Sequence, residues 1–108
     1  MIYVASIDRQ VNNAAQVILK PAVECSGEDY AGIMATNLES CFHLSQLAHP
    51  LLRNASVAGG GSVVHISSTA GCLGVPGVVL YSIAKGTHFK EHTHTHTHSI
   101  NPYLEGYF

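Results

Sequence analysis

The sequence predicts an α/β fold, and three observations carry that expectation. Of 108 residues, 46% are hydrophobic and 11% charged, a balance suited to a buried core of helices and strands. A short apolar run, Val63-Val64-His65-Ile66, lies between a Gly-rich turn and Ser67-Ser68, as a buried strand would. A helical period occupies Tyr30 to Leu52 before that run. After it, Tyr81 and Lys85 stand four residues apart, on one face of a helix. At this length the chain is one domain at most.

Composition narrows the function. Five Lys and Arg against seven Asp and Glu give a net charge of −2, so no basic footprint supports a nucleic-acid partner. No apolar run approaches the ~18 residues of a membrane span. Met1 to Ile7 lacks the basic start, apolar stretch and cleavage site of a signal peptide. Cys25, Cys41 and Cys72 are odd in number and irregularly spaced, with no Cys-x-x-Cys. They read as reduced thiols of a cytoplasmic protein.

Within Met1 to Gln10, the run Ser6-Ile7-Asp8-Arg9-Gln10 places charge where a buried parallel strand should be apolar, so residues 1–10 read as outside the fold. Asn12-Asn13-Ala14-Ala15 reads as a polar turn at a strand end that keeps only Val11. Val17 to Glu24 is a loop containing Pro21. Ser26 is a good helix N-cap, with Asp29 three residues on as a capping-box partner.

The helix that follows carries Tyr30, Ile33, Met34, Leu38, Phe42, Leu47 and Leu51, which fill more than one stripe and predict two buried faces. Pro50 should kink its last turns. Asn37 falls within this pattern where an apolar residue would be expected, and a polar group there needs partners.

Gly59-Gly60-Gly61 makes a flexible turn. It opens a strand and does not lead from a strand into a helix, so it is not a phosphate cradle. Val63 to Ser67 is the central strand, with His65 as a satisfied core or edge histidine. Gly71 to Leu80 is a loop, and Tyr81 begins or precedes the next helix. Beyond Gly86 the chain turns into a Thr-His alternation. His92, His94, His96 and His98 could ligate a transition metal. No second shell is apparent to fix those rings, so residues 87–108 read as an unstructured tail without a metal site.

The chemistry sits at the end of the central strand. A fixed ammonium beside a phenol favours the phenolate, which lets Tyr81 exchange a proton closer to neutral pH than its free value of ~10. By itself this pair equally suits an amphipathic helix with a surface lysine. Ser68 lies thirteen residues before Tyr81, at a strand end, where ligands bind in open α/β sheets. Its hydroxyl can bond the oxygen that the tyrosine protonates.

This combination resembles the short-chain dehydrogenase/reductase family, which has a Ser about this far ahead of a Tyr-x-x-x-Lys. Asn12-Asn13-Ala14-Ala15 resembles the family's Asn-Asn-Ala-Gly signature, and Asn37 in Ala35-Thr36-Asn37 matches its active-site Asn. The wording of Cys25 to Tyr30, His43 to Pro50 and Leu80-Tyr81-Ser82 is closest to plant tropinone reductase-like proteins. The resemblance covers Val11 to Gly86, 76 of the 108 residues.

It implies a partial Rossmann-like doubly wound parallel sheet, of which residues 11–86 are the central part only. It also implies an oxidoreductase that transfers hydride between NADPH (or NADH) and a small ketone or alcohol. Tyr81 would be the general acid, Ser68 the group that holds the carbonyl oxygen, Lys85 the tyrosine's charged neighbour and a ribose ligand, and Asn37 part of a water relay. Asn13 and Ala14 would face the cofactor, together with Tyr81 and Lys85. The helix from Tyr30 to Leu52 would contribute to a homo- or hetero-oligomer. The family's glycine-rich pyrophosphate turn is absent from these residues, so the chain alone is expected to be inactive. The alternatives are an interaction fragment that binds a full-length reductase subunit, or a His-rich metal-binding peptide.

Overall fold

A computed structural model describes residues 5–95, with side chains as far as Thr87. Strand β1 (Arg9–Asn12) pairs in parallel with β2 (Ser62–His65), and the register sets Arg9 against Ser62 and Asn12 against His65. Between them run α1 (Gly27–Met34), a π-helical turn (Ala35–Glu39) and α2 (Ser40–Arg53). A short 3-10 turn, Thr69–Gly71, follows β2, and α3 (Val79–Thr95) completes the described chain. Helix α3 packs on the 3-10 turn, the π turn, α1 and β2. Ile33, Met34 and Ala84 form the buried centre, with Ile18, Leu38 and Leu80 against it.

The start of α1 follows from its sequence. Ser26 is extended, its hydroxyl accepts from the Asp29 amide, and the Asp29 carboxylate accepts from the Ser26 amide at 2.8 Å. This is a complete capping box, and it satisfies donors that a helix start leaves orphaned. Lys20 adds an ion pair to Asp29 at 2.7 Å, which ties the preceding loop to the cap.

Two expectations need correction. First, β1 begins at Arg9, so part of residues 1–10 belongs to the fold. The Ile7 amide donates to Leu51, and the Asp8 carboxylate accepts from the Ser56 amide and hydroxyl. Polar residues are tolerated because, among the described residues, β1 pairs with β2 alone: Arg9 faces solvent, and Gln10 donates to Asn12 and Ser45. Second, the long helix covers one face only within the described residues. Ile33, Met34, Cys41 and Leu52 are buried, but Tyr30, Phe42, Leu44 and Leu47 are exposed.

Helix α3 runs on past Gly86 to Thr95. An established helix adds residues at little further cost, even where Thr and His propagate it weakly. His96, His98 and the rest of the 87–108 tail from residue 96 lie outside the described residues.

Gly59 and Gly60 have φ of 93° and 83°, values that favour glycine. A Cβ on Gly61 would stand 2.6 Å from the Leu52 carbonyl, so this turn exists to fold β2 back onto the end of α2. No described helix is long and apolar enough to cross a membrane.

The cap makes a pH prediction. The bond from Lys20, and then those from Ser26, hold the Asp29 carboxyl down at about 2, while Asp29 raises the Lys20 ammonium. A depressed carboxyl contributes stability that is present above its unfolded value of about 3.9 and is lost as pH falls through about 2. Asp29→Asn should therefore lower the melting temperature at neutral pH. The gap from wild type should close between about pH 4 and pH 2. A gap that is the same at both ends would remove this role.

Candidate active site

The site is built where β2 runs out. The Ile66 amide still donates to the Asn12 carbonyl at 3.0 Å, and Ser68 adopts an extended conformation at the head of the 3-10 turn. Its hydroxyl oxygen accepts from the Ala70 amide at 3.2 Å, which fixes the side chain and leaves its O–H as a donor.

Helix α3 returns across this end. Tyr81 and Lys85 share one face of it, and the Lys85 Nζ sits 5.7 Å from the centre of the Tyr81 ring. Such a placement of a cation over an aromatic face is attractive. Lys85 is only 2% exposed. Burying an ammonium is costly unless it is bonded, and Nζ donates to the Ile66 carbonyl at 2.7 Å. The attachment is reciprocal, because the Ser67 hydroxyl donates to the Lys85 carbonyl at 2.8 Å.

Two glycines allow this approach. A Cβ on Gly71 would stand 2.8 Å from the Lys85 carbonyl carbon, and one on Gly86 would stand 3.1 Å from the Gly71 oxygen. The backbone of the Ser68 turn therefore lies directly on the helix that carries Tyr81 and Lys85.

Asn37 sits in the π turn and is fully buried. Its side chain clasps the backbone of Gln16, accepting from the amide at 2.9 Å and donating to the carbonyl at 2.7 Å. The π turn that carries Asn37 packs against α3, the helix of Tyr81 and Lys85.

Asn13 and Ala14 follow β1 and are exposed. With Val11, Asn12, Cys41 and Leu44 they line a cleft of about 70 Å³. Neither Tyr81 nor Lys85 lines that cleft. Beneath it, Asn12 bonds the His65 Nδ1 at 3.1 Å and Ser45 at 3.4 Å. His65 is thus a buried partner in a polar cluster. Among the described residues, no group of three or more His, Cys, Asp or Glu side chains is placed to hold a metal.

The structure thus joins Tyr81 to Lys85 directly, Ser68 to them through the Gly71 contact, and Asn37 through the π turn. Sequence reasoning missed Ser67, the Ile66 carbonyl, the Gly71–Gly86 joint and Gln16. Ser67 had a signal, since it stands beside Ser68 in the sequence. A carbonyl acceptor carries none.

Comparison with known proteins places the chain in a family. The family model described as short chain dehydrogenase matches residues 3–101. A tropinone reductase homologue of Arabidopsis thaliana is 47% identical over 85 residues, which are 79% of this chain and 30% of that protein. Another from the same plant is 51% identical over 76 residues, 70% of this chain and 28% of that one.

Among solved structures, a gluconate 5-dehydrogenase from Burkholderia cenocepacia, in complex with NADP and tartrate, superposes with a TM-score of 0.72 at 26% identity. It covers 80% of this chain and 32% of that one. Serine dehydrogenase from Escherichia coli superposes at 0.70 with 26% identity, covering 80% and 39%. The fold is Rossmann-like, and the chain belongs to the short-chain dehydrogenase/reductase family. It spans about 30% of the length of the curated relatives it matches.

The Gly71 joint is directly testable. Gly71→Ala should destabilise the chain by about 1–3 kcal/mol, as overpacking against backbone does. Gly74→Ala, with nothing within 4 Å of its new Cβ, should be close to neutral. Urea denaturation of both variants checks this, and equal midpoints would contradict the close approach.

Proposed function

We propose that this chain carries the proton-transfer face of an NADP(H)-dependent carbonyl reductase or alcohol dehydrogenase of the tropinone reductase-like kind, acting on a small ketone or alcohol. The observation that carries this reading is the buried Lys85 ammonium, held by Ile66 over the Tyr81 ring at the end of a parallel strand. A nicotinamide cofactor fits this end of the chain. Ala14 presents only a methyl group at the end of β1, and one donor of Lys85 is committed to Ile66 while an ammonium has three. Asn13, Ala14, Tyr81 and Lys85 are the residues that would hold it, and when bound it supplies the hydride.

The chain's own residues do the rest. Ser68 donates its O–H to the substrate oxygen and stabilises negative charge as it develops there. Tyr81 delivers a proton to that oxygen as general acid. Lys85 lies over the Tyr81 ring and would bond the ribose hydroxyls of the cofactor. Asn37 shapes the π turn beside α3 and supports the return of a proton through water. The Gly-x-x-x-Gly-x-Gly turn that would receive the pyrophosphate is absent from these 108 residues. By themselves they should not turn over a ketone. The three free thiols suit a reducing compartment, and we place the protein in the cytoplasm.

A second reading has its own observation. Tyr30, Phe42, Leu44 and Leu47 are exposed on α1 and α2. Exposed apolar surface of this kind marks interaction sites. The helix would then dock on a full-length reductase subunit, or on a second copy, without catalysis.

The test has two arms. The chain alone should show no saturable NADPH fluorescence change up to about millimolar concentration, and tight binding would contradict the proposed dependence on the missing turn. Residues 11–86 should then replace the matching segment of a full-length tropinone reductase-like host. In an active chimera, Tyr81→Phe should remove nearly all turnover, and Ser68→Ala should cost about a hundredfold or more. Near-normal turnover by the Tyr81→Phe chimera would sink the mechanism.

A further inference from the structure

Gln16 belongs to no motif and to no step of the chemistry above, yet it makes two sets of bonds with one stretch of helix. Its backbone amide and carbonyl are both taken by the Asn37 side chain. Its own side chain reaches back the other way, and Nε2 donates to the Gly32 carbonyl at 2.7 Å and to the Thr36 hydroxyl at 3.0 Å. Four hydrogen bonds thus join a single loop residue to residues 32–37. Gln16 immediately follows the Asn12-Asn13-Ala14-Ala15 turn, so this attachment links that turn to the element that buries Asn37.

The π turn needs such support. At its end the Ser40 amide bonds the Ala35 carbonyl, five residues back, which leaves the Thr36 carbonyl without its usual amide donor. The Ser40 hydroxyl takes that carbonyl instead, at 2.6 Å. The wide turn is therefore closed on one side by Ser40 and on the other by Gln16. Only a donor serves at the second position, because the Gly32 group is a carbonyl and the Thr36 oxygen is accepting.

We propose that the Gln16 side chain is a positioning latch: by donating to Gly32 and Thr36 it holds the loop after β1 on the π turn and so fixes Asn37. Its relevance to turnover rests on the functional reading above, in which Asn13, Ala14 and Asn37 serve one site.

Hydrogen exchange by NMR on the full chain tests the latch, with the Asn37 side-chain amide and the Gln16 backbone amide as reporters. Gln16→Met keeps the length of the side chain but has no donor, and Gln16→Glu keeps the shape but cannot donate to Gly32. Both should accelerate exchange at the two reporters by about tenfold or more, as the loss of two hydrogen bonds allows. The backbone amides of Ile33 and Ala84, in the core, should change by less than about twofold. Unchanged reporters in Gln16→Met would overturn the proposal. So would an equal acceleration at Ile33 and Ala84, which would mean general loosening. The functional reading fails separately: in the host chimera, Asn37→Leu with full turnover would refute it and leave the latch standing.

Discussion

The described structure depends on one buried ammonium. Lys85 is 2% exposed, and its charge is matched by the Ile66 carbonyl at 2.7 Å. A buried charge without a partner is among the most destabilising features a fold can carry. Helix α3 is therefore obliged to lie where Nζ meets the end of β2. The other contacts there are consequences: the Ser67 hydroxyl on the Lys85 carbonyl, the backbone approach of Gly71 to Gly86, and the position of the Tyr81 ring beneath the ammonium. An apolar residue at position 85 would pack more cheaply. Its place is held by a charge, whose burial the bond to Ile66 offsets.

The irregular helix is the second constraint. A continuous α-helix from Gly27 to Arg53 would rotate the residues after Asn37 differently against the sheet. The π turn absorbs one extra residue per turn locally, and such turns are frequent at functional sites. Here it buries Asn37 completely and lets that side chain reach the Gln16 backbone. The loop after β1 and the helix thus meet through hydrogen bonds rather than through apolar packing.

What could be read in the sequence was local or chemical. The capping box was legible because Ser26 and Asp29 lie three residues apart and need nothing else. Tyr81 and Lys85 were legible because helical spacing alone puts them on one face. Helix α1 and strand β2 followed from period and from the flanking glycines. Strand β1 was not legible, since Arg9 and Gln10 look wrong for a buried strand and are accommodated because, among the described residues, β1 pairs with β2 alone. The π turn was invisible for another reason: it reassigns backbone bonds without changing residue preference. The Ile66 acceptor and the Gln16 latch share that property, since each depends on where a carbonyl points. The exposed face of the long helix was read as buried because hydrophobic period records what a helix can bury and not what is present to cover it.

NMR of the lysine ammonium groups measures directly whether Ile66 holds Lys85. A chain labelled with 15N and 13C should show the Lys85 Nζ protons as a separate, slowly exchanging signal, with a coupling across the hydrogen bond to the Ile66 carbonyl carbon. The remaining lysine ammonium signals serve as the rapidly exchanging reference. A Lys85 signal that exchanges as fast as the reference, with no coupling to Ile66, would contradict the arrangement from which the rest of the site is built.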